Sequence, residues 1–433
     1  MSSIAHLEAQ LVNEHSVLLA YSGGLDSSVL LHQLVLLRRQ RPALQLRAVH
    51  IHHGLSPRAD DWVAHCRQQC LQWQVPLVVC HVTVDTRHGG IEAAARGARY
   101  QVFSQQLQAG ETLLTAQHQD DQSETLLLAL KRGSGPAGLA AMPAHRQMGQ
   151  HRHLRPLLSF GRLQLEDWAQ EHRLTWIEDE SNADPRYDRN FLRLQVMPLL
   201  NARWPHFSHA VARSASLCGE QEQLLDELLA ESLSSLMDST GTLPVAPLLE
   251  MSEPRRFALL RRWIACHQGS MPSRDALRRL WQEVACSRED AEPRLRLGGY
   301  EVRRYRHRLY WLPLMPSLAA VRLTWTDISC PLVLPEGLGQ LRPVGETVTL
   351  RLPQPDEPVS VRFKAQGAFH IVGRAGSRPL KKLWHELAVP PWARERTPLI
   401  FYGERLMAAA GVFVTREGAP DSPDNGWSVD WCR

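Results

Sequence analysis

A short polar turn directly after an apolar run contains serine and glycine residues that could bind a phosphate, together with one aspartate. The run at 17–21 is followed by a short polar turn made of Ser22, Gly23, Gly24, Leu25, Asp26 and Ser27. Adjacent glycines can turn backbone N–H groups toward an anion, serine hydroxyls add donors, and a helix start adds a positive dipole end. The turn lacks the lysine of the GxxxxGK[ST] loop. It therefore predicts a phosphate-binding turn of another kind, the alternative being an ordinary tight turn of small residues.

A second polar cluster follows a later apolar run at 112–116. It contains His118 at the strand end, with Asp121 and Glu124 in the first turn of the helix that follows. Negative charge is favoured at that end of a helix, so simple capping is one interpretation. The cluster has more carboxylates than a cap needs, however. It could hold Mg²⁺ through water or bind the ammonium group of an amino-acid substrate.

Three histidines lie at the end of a third apolar run at 44–51. They are His50, His52 and His53. No cysteine lies near them in sequence and their spacing fits no zinc finger, which disfavours a zinc site. Contact with a nucleotide or a structural role is the favoured interpretation.

Two arginines, Arg96 and Arg99, lie three positions apart at an alanine-rich helix start, so both fall on one helix face. One interpretation is a surface ion pair with Glu92. The other is that an arginine reaches the phosphates of a nucleotide, or the charge that develops as they react.

These groups need a scaffold that brings them together, and the chain from 16 to 130 predicts one. Near-continuous apolar strands alternate with amphipathic helices, which is typical of an α/β fold with a doubly wound parallel sheet. The predicted strands are 17–21, 44–51, 77–82 and 112–116, and the predicted helices are 27–39, 58–73, 92–107 and 121–132. In such sheets ligands bind where the strands end. The polar clusters should therefore converge on one crevice.

The rest of the chain divides by composition. Helical patterns resume at 161–173 and 190–200, and a leucine-rich helical pattern runs from 217 to about 311. Proline-rich segments then indicate a linker, and short strand-like runs with one helix near 381–387 indicate a small mixed α/β domain. The predicted order is an α/β domain with the phosphate turn, a helical domain, a linker and a small mixed C-terminal domain, at 1–215, 216–315, 316–344 and 345–433.

Composition restricts the class of protein. The 433 residues carry a net charge of +4, and eight scattered cysteines fit reduced cytosolic thiols better than a disulfide framework. No apolar run approaches the roughly 18 residues of a membrane span, and no signal peptide is visible, so the sequence predicts a cytoplasmic protein without a membrane partner. Fourteen arginines but only six acids lie between 255 and 308. That excess indicates a nucleic-acid partner, the alternative being a solvated helical surface.

A series of short motifs occurs in a fixed order along the chain. They include the phosphate turn and a Gln-His-Gln-Asp-Asp-Gln-Ser-Glu-Thr segment, and they lie at 22–27, 117–125, 133–135, 155–158, 179–182, 189–190, 198–200, 381–384 and 389–394. In this order they resemble the tRNA(Ile)-lysidine synthetase family of the ATP pyrophosphatases, over most of the chain. Gln117 stands where that family usually has the first of two histidines, whereas His118 matches the second.

The resemblance implies a two-step ligase reaction on an isoleucine tRNA with a CAU anticodon. ATP adenylates the C2 carbonyl oxygen of the wobble cytidine, and the amine of free L-lysine then attacks C2 and displaces AMP to form lysidine. The modified anticodon reads AUA instead of AUG, and the tRNA accepts isoleucine instead of methionine. ATP and Mg²⁺ are the implied cofactors.

The resemblance also implies roles for the residues above. ATP binding is assigned to Ser22, Gly23, Gly24, Leu25, Asp26, Ser27 and His50. Catalysis is assigned to Asp26, Arg96, Arg99 and His118. Mg²⁺ is assigned to Asp26 and Asp121. Lysine and the anticodon loop are assigned to Asp121, Glu124, Arg189, Asn190 and Arg193.

Two other functions stay open on the sequence. A tRNA thiolase of the same superfamily usually carries a paired-cysteine motif, and this chain has no Cys-x-x-Cys. A non-catalytic tRNA-binding protein would have a decayed phosphate turn, whereas this turn is intact. The sequence also leaves the oligomeric state open, with a homodimer among the options.

Overall fold

A computed structural model of the chain describes residues 3–54, 56–82, 91–288, 291–343, 349–422 and 426–432. The chain divides into two units, Met1–Leu228 and Leu229–Arg433. Each unit buries its own apolar clusters. No helix in the described ranges is both long enough and apolar enough to cross a membrane.

The first unit is built on a six-stranded sheet. Its strands are β1 (Ser16–Ala20), β2 (Gln45–His52), β3 (Leu77–His81), β4 (Thr112–Leu114), β5 (His145–Met148) and β6 (His151–Leu154). They lie in the order β3-β2-β1-β4-β6-β5, all parallel except β5, which pairs antiparallel with β6. The predicted doubly wound α/β sheet is confirmed, and the four predicted strands match to within two residues.

Helices pack on both faces of this sheet. Leu18 of β1 packs with Phe103 in one apolar cluster, whereas Val17 and Leu19 lie in another cluster. Side chains alternate along a strand, so β1 is buried on both faces, which explains its uninterrupted apolar sequence. The helices that begin in this unit are α1 (Ser3–Gln10), α2 (Leu25–Gln40), α3 (Ala59–Gln72), α4 (Ile91–Gln106), α5 (Gln119–Lys131), α6 (Pro136–Leu139), α7 (Arg162–Glu171), α8 (Asp188–Phe191), α9 (Met197–Arg203) and α10 (Phe207–Leu236).

A 3₁₀ turn and a π-helical turn complete the first unit. A 3₁₀ turn covers Glu180–Ala183, and a π-helical turn at Leu192–Val196 joins α8 to α9. The strands β1, β2 and β4 end at the same edge of the parallel sheet. The polar residues that follow those three strands therefore lie at one edge, as predicted.

The second unit begins with helices and a four-stranded antiparallel sheet. Its first elements are β7 (Leu243–Pro244), α11 (Ala246–Leu249), α12 (Glu253–Cys266), α13 (Arg274–Arg279), a π-helical turn (Leu280–Ala285), β8 (Arg294–Leu297), β9 (Tyr300–Tyr305) and β10 (Arg308–Pro313). The strand order is β7-β10-β9-β8. The prediction of helix up to 311 is therefore wrong for these last strands. In Arg-Leu-Arg-Leu of β8 the first leucine is buried and the arginines are exposed, a period of two that is typical of a half-buried strand.

The predicted linker at 316–344 is contradicted by the structure of its described part, 316–343. That segment contains β11 (Arg322–Thr324), β12 (Leu332–Val333) and β13 (Gln340–Arg342). It also buries Leu318, Trp325, Leu334 and Leu341 in the apolar cluster of the C-terminal sheets. Prolines and glycines separate these apolar residues in sequence, so they form no continuous run that would predict a strand.

The C-terminal part mixes short strands with short helices, as predicted. Its elements are β14 (Thr349–Arg351), β15 (Val359–Arg362), β16 (Ala368–Phe369), β17 (Arg378–Pro379), α14 (Leu380–Glu386), α15 (Pro391–Arg394), β18 (Leu399–Tyr402), β19 (Arg405–Ala409), β20 (Phe413–Val414), β21 (Gly426–Ser428) and β22 (Asp430–Cys432). The largest sheet has the order β11-β15-β18-β19-β20 and is antiparallel. The helix predicted near 381–387 corresponds to α14.

Candidate active site

The turn after β1 is held closely from one side. Gly23 has a φ of +85°, a conformation that favours glycine, and its carbonyl accepts a hydrogen bond from the Ile177 N–H at 2.9 Å. A Cβ added at Gly23 would lie 2.5 Å from the Ile177 Cδ1 and 2.8 Å from the Cys66 Sγ. Gly23 is therefore needed both for its conformation and for the space that it leaves.

Hydroxyl groups hold the same turn from within. The Ser22 and Ser27 hydroxyls lie 2.9 Å apart, and the Ser27 hydroxyl donates to the Gly24 carbonyl at 3.1 Å. The Gly24 N–H donates to the Ser22 hydroxyl at 3.3 Å. Leu25 is buried and anchors the start of α2 in the core. The turn thus stands at the N-terminus of a 16-residue helix, where backbone N–H groups and the helix dipole favour a phosphate.

Asp26, His118 and Asp121 meet beside this turn. The buried His118 accepts the Asp120 N–H on its Nδ1 at 3.3 Å, which assigns the ring proton to Nε2. That Nε2 lies 3.7 Å from the Asp26 Oδ2 and 3.5 Å from the Asp121 Oδ2. Burial raises the pKa of Asp26, opposed by His118 and reinforced by Asp121. The structure thus joins the two polar clusters that the sequence places 92 residues apart.

A buried ion-pair network continues from Asp121. The Arg193 Nε donates to the Glu124 Oε1 at 2.7 Å, and its Nη2 donates to the Glu124 Oε2 and the Asp121 Oδ1, both at 3.0 Å. The Arg189 Nε lies 3.1 Å from the Glu124 Oε2, and its Nη2 donates to the Thr125 hydroxyl at 2.9 Å. Glu124 is only 1% exposed. These ion pairs therefore join α5 to the segment at 189–193.

This network changes how the substrate residues are understood. The sequence assigned Asp121 and Glu124 to lysine, and Arg189 and Arg193 to the anticodon loop, but the structure pairs the two sets with each other. Burial raises the pKa of Glu124, although Arg193 opposes the shift. For Asp121, burial acts in the same direction, but His118 and the two arginines outweigh it and the pKa is lowered. A ligand ammonium would therefore share these carboxylates with Arg193.

Asn190 lies beside the network and holds backbone. Its side-chain amide donates to the Ser181 and Asp184 carbonyls, both at 2.9 Å. Those two bonds use both hydrogens of the amide. Asn190 thus fastens the 3₁₀ turn of this unit to α8, and its proposed contact with tRNA would have to come through its amide oxygen.

His50 supports the backbone just before the phosphate turn. Its Nδ1 donates to the Tyr21 carbonyl at 2.9 Å and lies 3.4 Å from the Cys66 Sγ. His50 is buried, and burial lowers its pKa. The neighbouring His52 faces a surface carboxylate instead, because its Nε2 lies 3.3 Å from the exposed Asp60. The structure therefore supports a structural role for His50, with nucleotide contact left to its remaining ring edge.

Arg96 and Arg99 point to different neighbours, although they share one face of α4. The Arg96 Cζ lies 5.5 Å from the centroid of the Tyr100 ring, toward the β5–β6 hairpin. Arg99 lies near His53, whose pKa falls to about 4 because of burial and then the charge of Arg99. The two arginines are thus separate candidates for a phosphate rather than one pair.

Arg162 is a charged residue of the site that the sequence did not predict. The Arg162 Nη1 lies 3.9 Å from the Asp26 Oδ1, and the Arg162 N–H donates to the Asp120 Oδ2 at 2.9 Å. Arg162 begins α7, and nothing local in its sequence distinguishes it from an ordinary first-turn residue. Only the packing of α7 beside α2 brings it to Asp26.

Asp26 is the residue that best fits a divalent cation. Its Oδ1 is buried without a hydrogen-bond partner, which leaves a hard oxygen ligand available. Both oxygens of Asp121 already accept hydrogen bonds, from the His118 N–H and from Arg193. In the ranges that the structure describes, no three His, Cys, Asp or Glu side chains are grouped to hold a metal. A cation here would therefore need ligands from a bound nucleotide or from water.

Three family models match separate parts of the chain. A PP-loop domain matches residues 2–200, a TilS substrate binding domain matches 243–310, and a TilS substrate C-terminal domain matches 359–431. The first match contains the whole of the geometry described above.

Curated relatives match almost the full chain. A tRNA(Ile)-lysidine synthase from Serratia proteamaculans is 61% identical over 427 residues, covering 99% of this chain and 98% of that protein. A tRNA(Ile)-lysidine synthase from Pectobacterium atrosepticum is 60% identical, covering 96% and 95%. One from Shigella flexneri is 58% identical, covering 98% of each.

Proposed function

Because the chain belongs to the tRNA(Ile)-lysidine synthase family, we propose that it is a ligase that joins L-lysine to the wobble cytidine of an isoleucine tRNA. The C2 carbonyl oxygen of the cytidine forms a bond to the α-phosphorus of ATP, and pyrophosphate leaves. The lysine amine then forms a bond to C2, the C2–O bond breaks, and AMP leaves with that oxygen. The amine gives up its proton to a base in this step.

The turn at 22–27 is the observation that carries the proposal. Its backbone stands at the start of α2, and its two serine hydroxyls lie 2.9 Å apart at the same edge of the sheet as Asp26. This geometry fits the polyphosphate of ATP, since it supplies donors without a lysine. The nucleophile is an oxygen of the tRNA, so positioning and charge stabilisation are the main tasks of the protein.

Asp26 is the acidic group that we assign to the reaction. Its Oδ1 accepts no hydrogen bond and fits Mg²⁺, which when bound would neutralise charge on the ATP phosphates. The Arg162 Nη1 lies 3.9 Å from the same oxygen and adds a positive charge beside it. The His118 Nε2 faces both Asp26 and Asp121, at 3.7 and 3.5 Å. We also assign to Asp26 the proton that the lysine amine gives up.

Gly23→Ala is expected to raise the KM for ATP by at least about tenfold. The new methyl group would meet Ile177 and Cys66 within 2.8 Å, so the turn must shift, and a left-handed residue other than glycine costs a further ~1 kcal/mol. The measurement is the KM from initial rates of AMP release. Gly219→Ala on α10 is the matched control, since an added Cβ there meets only Ala140, at an ordinary 3.7 Å. Equal KM values for the two variants would contradict the proposed use of the turn.

The second unit offers a basic cleft for the body of the tRNA. The cleft has a volume of about 750 Å³, and its basic lining comes from Arg304, Arg306, Lys381, Lys382, His385 and Arg394. Other arginines of the 255–308 stretch form ion pairs on the helix surface, among them Arg278 with Asp275 at 3.0 Å and Arg279 with Glu283 at 2.8 Å. The cleft therefore gathers basic side chains from both the 255–308 stretch and the C-terminal part, of which Arg394 pairs with Glu292 at 3.3 Å.

Lys381→Ala combined with Lys382→Ala is expected to weaken tRNA binding by about tenfold and to reduce the salt dependence of Kd by about two charges. Both lysines line the cleft, and phosphate contacts of this kind are electrostatic. Filter binding of unmodified isoleucine tRNA at two salt concentrations measures both quantities. Lys364→Ala, at an exposed lysine of the same unit, is the control. An unchanged Kd in the double variant would remove the cleft from the tRNA-binding surface.

The proposed reaction is tested directly with labelled lysine. The purified protein is incubated with ATP, Mg²⁺, labelled lysine and an unmodified isoleucine tRNA with a CAU anticodon. We expect label in the tRNA only when ATP is present, with AMP and pyrophosphate formed in equal amounts. Methionine tRNA, which has the same anticodon, is the matched control and should stay unlabelled. Failure to label the isoleucine tRNA would overturn the proposal.

Two of the thiols of the first unit are poorly suited to a tRNA thiolase. Cys66 and Cys70 are buried, and burial raises the pKa of each to about 12. A thiol with that pKa stays protonated at neutral pH and is a poor nucleophile. We expect the ligase to act in the cytoplasm, where tRNA, ATP and free lysine occur together. A homodimer stays a prediction.

A further inference from the structure

Three arginines converge beside the active site, on α4 and next to the β5–β6 hairpin. Arg96 and Arg146 lie over the ring of Tyr100, with their Cζ atoms 5.5 and 4.8 Å from its centroid. The Arg146 Nε donates to the His153 Nδ1 at 3.1 Å, and the Arg155 Nη2 lies 3.5 Å from the same nitrogen. Arg96, Arg146 and Arg155 are called the arginine cluster below.

Arg155 is the buried member of the arginine cluster. Its residue is only 2% exposed, its Nη1 donates to the Pro143 carbonyl at 2.5 Å, and its Nε is buried without a hydrogen-bond partner. A buried guanidinium with an unused donor is costly unless an anion or a further acceptor approaches it. The position therefore holds a charge that this chain does not fully satisfy.

Arg146 and Arg155 form no ion pair with any carboxylate whose side chain the structure describes. The side chain of Glu92, one turn before Arg96 on α4, lies outside that description. The three charges act on His153, whose pKa falls to about 3 because of burial first and then of these arginines. Burial lowers the pKa of Arg155 as well. Tyr100 opposes this shift, whereas the charges of Arg146 and Arg96 reinforce it. Like charges held together in this way are relieved by a bound anion.

A chain of hydrogen bonds connects the arginine cluster to the turn before α5. Since the His153 Nδ1 accepts from Arg146, its Nε2 carries the proton and donates to the Thr115 hydroxyl at 2.7 Å. That hydroxyl in turn donates to the Gln117 side-chain carbonyl. Gln117 directly precedes His118, which faces Asp26. The cluster therefore borders the proposed reaction centre, and this is the one structural role found for Gln117.

We propose that Arg96, Arg146 and Arg155 form a phosphate-binding site distinct from the turn at 22–27. Arginine suits this ligand because its planar fork gives paired donors to phosphate oxygens. The inference rests on the proposed function only for the source of the phosphate, which is either the tRNA backbone beside the target cytidine or the polyphosphate of ATP. In both cases the site positions a substrate through its charge.

Arg146→Gln tests the site because Arg146 is half-buried, so we expect the variant to fold. Two binding constants are measured without lysine: the Kd of unmodified isoleucine tRNA at two salt concentrations, and the Kd of α,β-methylene-ATP by calorimetry. If the phosphate belongs to tRNA, the tRNA Kd rises about tenfold and its salt dependence falls by about one charge, with the nucleotide Kd unchanged. If the phosphate belongs to ATP, the nucleotide Kd rises about tenfold instead.

Two further variants make the result decisive. Arg39→Gln removes an exposed arginine at the far end of α2, at the opposite edge of the sheet, and is the matched control. Arg146→Lys keeps the charge without the paired donors and should recover only part of the lost affinity. Parental values for both ligands in Arg146→Gln would overturn the site, as would equal losses in Arg39→Gln. Both constants are independent of lysine transfer, so failure of the labelling experiment would be seen separately in the parent protein.

Discussion

Asp26→Asn is expected to lower the rate of lysidine formation by about 10²- to 10³-fold while the protein stays folded. The Asp26 Oδ1 is buried and accepts no hydrogen bond, and its Oδ2 faces the His118 Nε2 at 3.7 Å. Asparagine keeps the shape of the side chain and removes its charge. The loss therefore reports the interaction of the carboxylate with a cation, the nucleotide or the transferred proton. The measurement is kcat for lysine incorporation at saturating ATP and tRNA.

The stability of the same variant should change in the opposite direction. Burial raises the pKa of Asp26 above its value in the unfolded chain, so the folded state binds the proton more tightly than the unfolded state does. The resulting loss of stability is complete above the folded-state pKa and disappears below the unfolded value of about 3.9. Asp26→Asn should therefore raise the melting temperature at pH 7. The difference from the parent protein should shrink as the pH falls toward 4.

A matched substitution separates the role of this charge from a general effect of losing an acid. Asp167→Asn removes an exposed carboxylate on α7, and we expect it to leave both kcat and the melting temperature near their parental values. Parental kcat in Asp26→Asn would exclude Asp26 from the reaction. A fall in both kcat and melting temperature would instead identify Asp26 as a structural residue.

The scaffold could be predicted because its signals are local. β1 is buried on both faces, so its sequence is continuously apolar, and the glycines and serines of the following turn interrupt it sharply. The secondary structure of the second unit is harder to predict from its sequence. β8 alternates Arg and Leu within four residues, too few to outweigh the helical pattern that precedes it, and the helix prediction at 294–297 failed for that reason.

The partners of the charged residues could not be predicted, because they come from distant parts of the chain. Arg193 contacts Glu124 across 69 positions of sequence, and Arg162 reaches Asp26 only through the packing of α7 on α2. The sequence predicts Glu124 and Arg193 as substrate-binding residues and gives no sign that they bind each other. Arg155, recognised in sequence only as part of a motif, owes its significance to burial without an acid.

Arg193→Met is expected to lower the free energy of unfolding by about 3 kcal/mol at pH 7. Arg193 supplies two hydrogen bonds to Glu124 and one to Asp121, and Glu124 is almost fully buried. The loss should be at the lower end of the range for a broken buried pair, because the Arg189 Nε remains 3.1 Å from Glu124. Denaturant unfolding followed by circular dichroism measures the change. Arg186→Met, which breaks the exposed pair with Asp184, is the control and should change little.

The pH dependence of that loss identifies its cause. Burial already raises the pKa of Glu124, and removing Arg193 would raise it further. The deficit of Arg193→Met should therefore be full at neutral pH and should shrink as the pH falls through the folded-state pKa, because protonation removes the uncompensated charge. A deficit that is the same at pH 5 and pH 7 would indicate lost packing instead.

Glu124→Gln added to Arg193→Met separates stability from lysine binding. The double variant has no unpaired glutamate, so we expect it to recover most of the unfolding free energy that Arg193→Met loses. It should not recover lysine transfer, since the carboxylate proposed to meet the lysine ammonium is gone, and the KM for lysine should stay at least about tenfold above that of the parent. Recovery of both quantities would mean that Glu124 and Arg193 serve only to join their helices. Recovery of stability alone, together with an equally raised KM for lysine in Glu124→Gln by itself, assigns Glu124 to the amino-acid substrate.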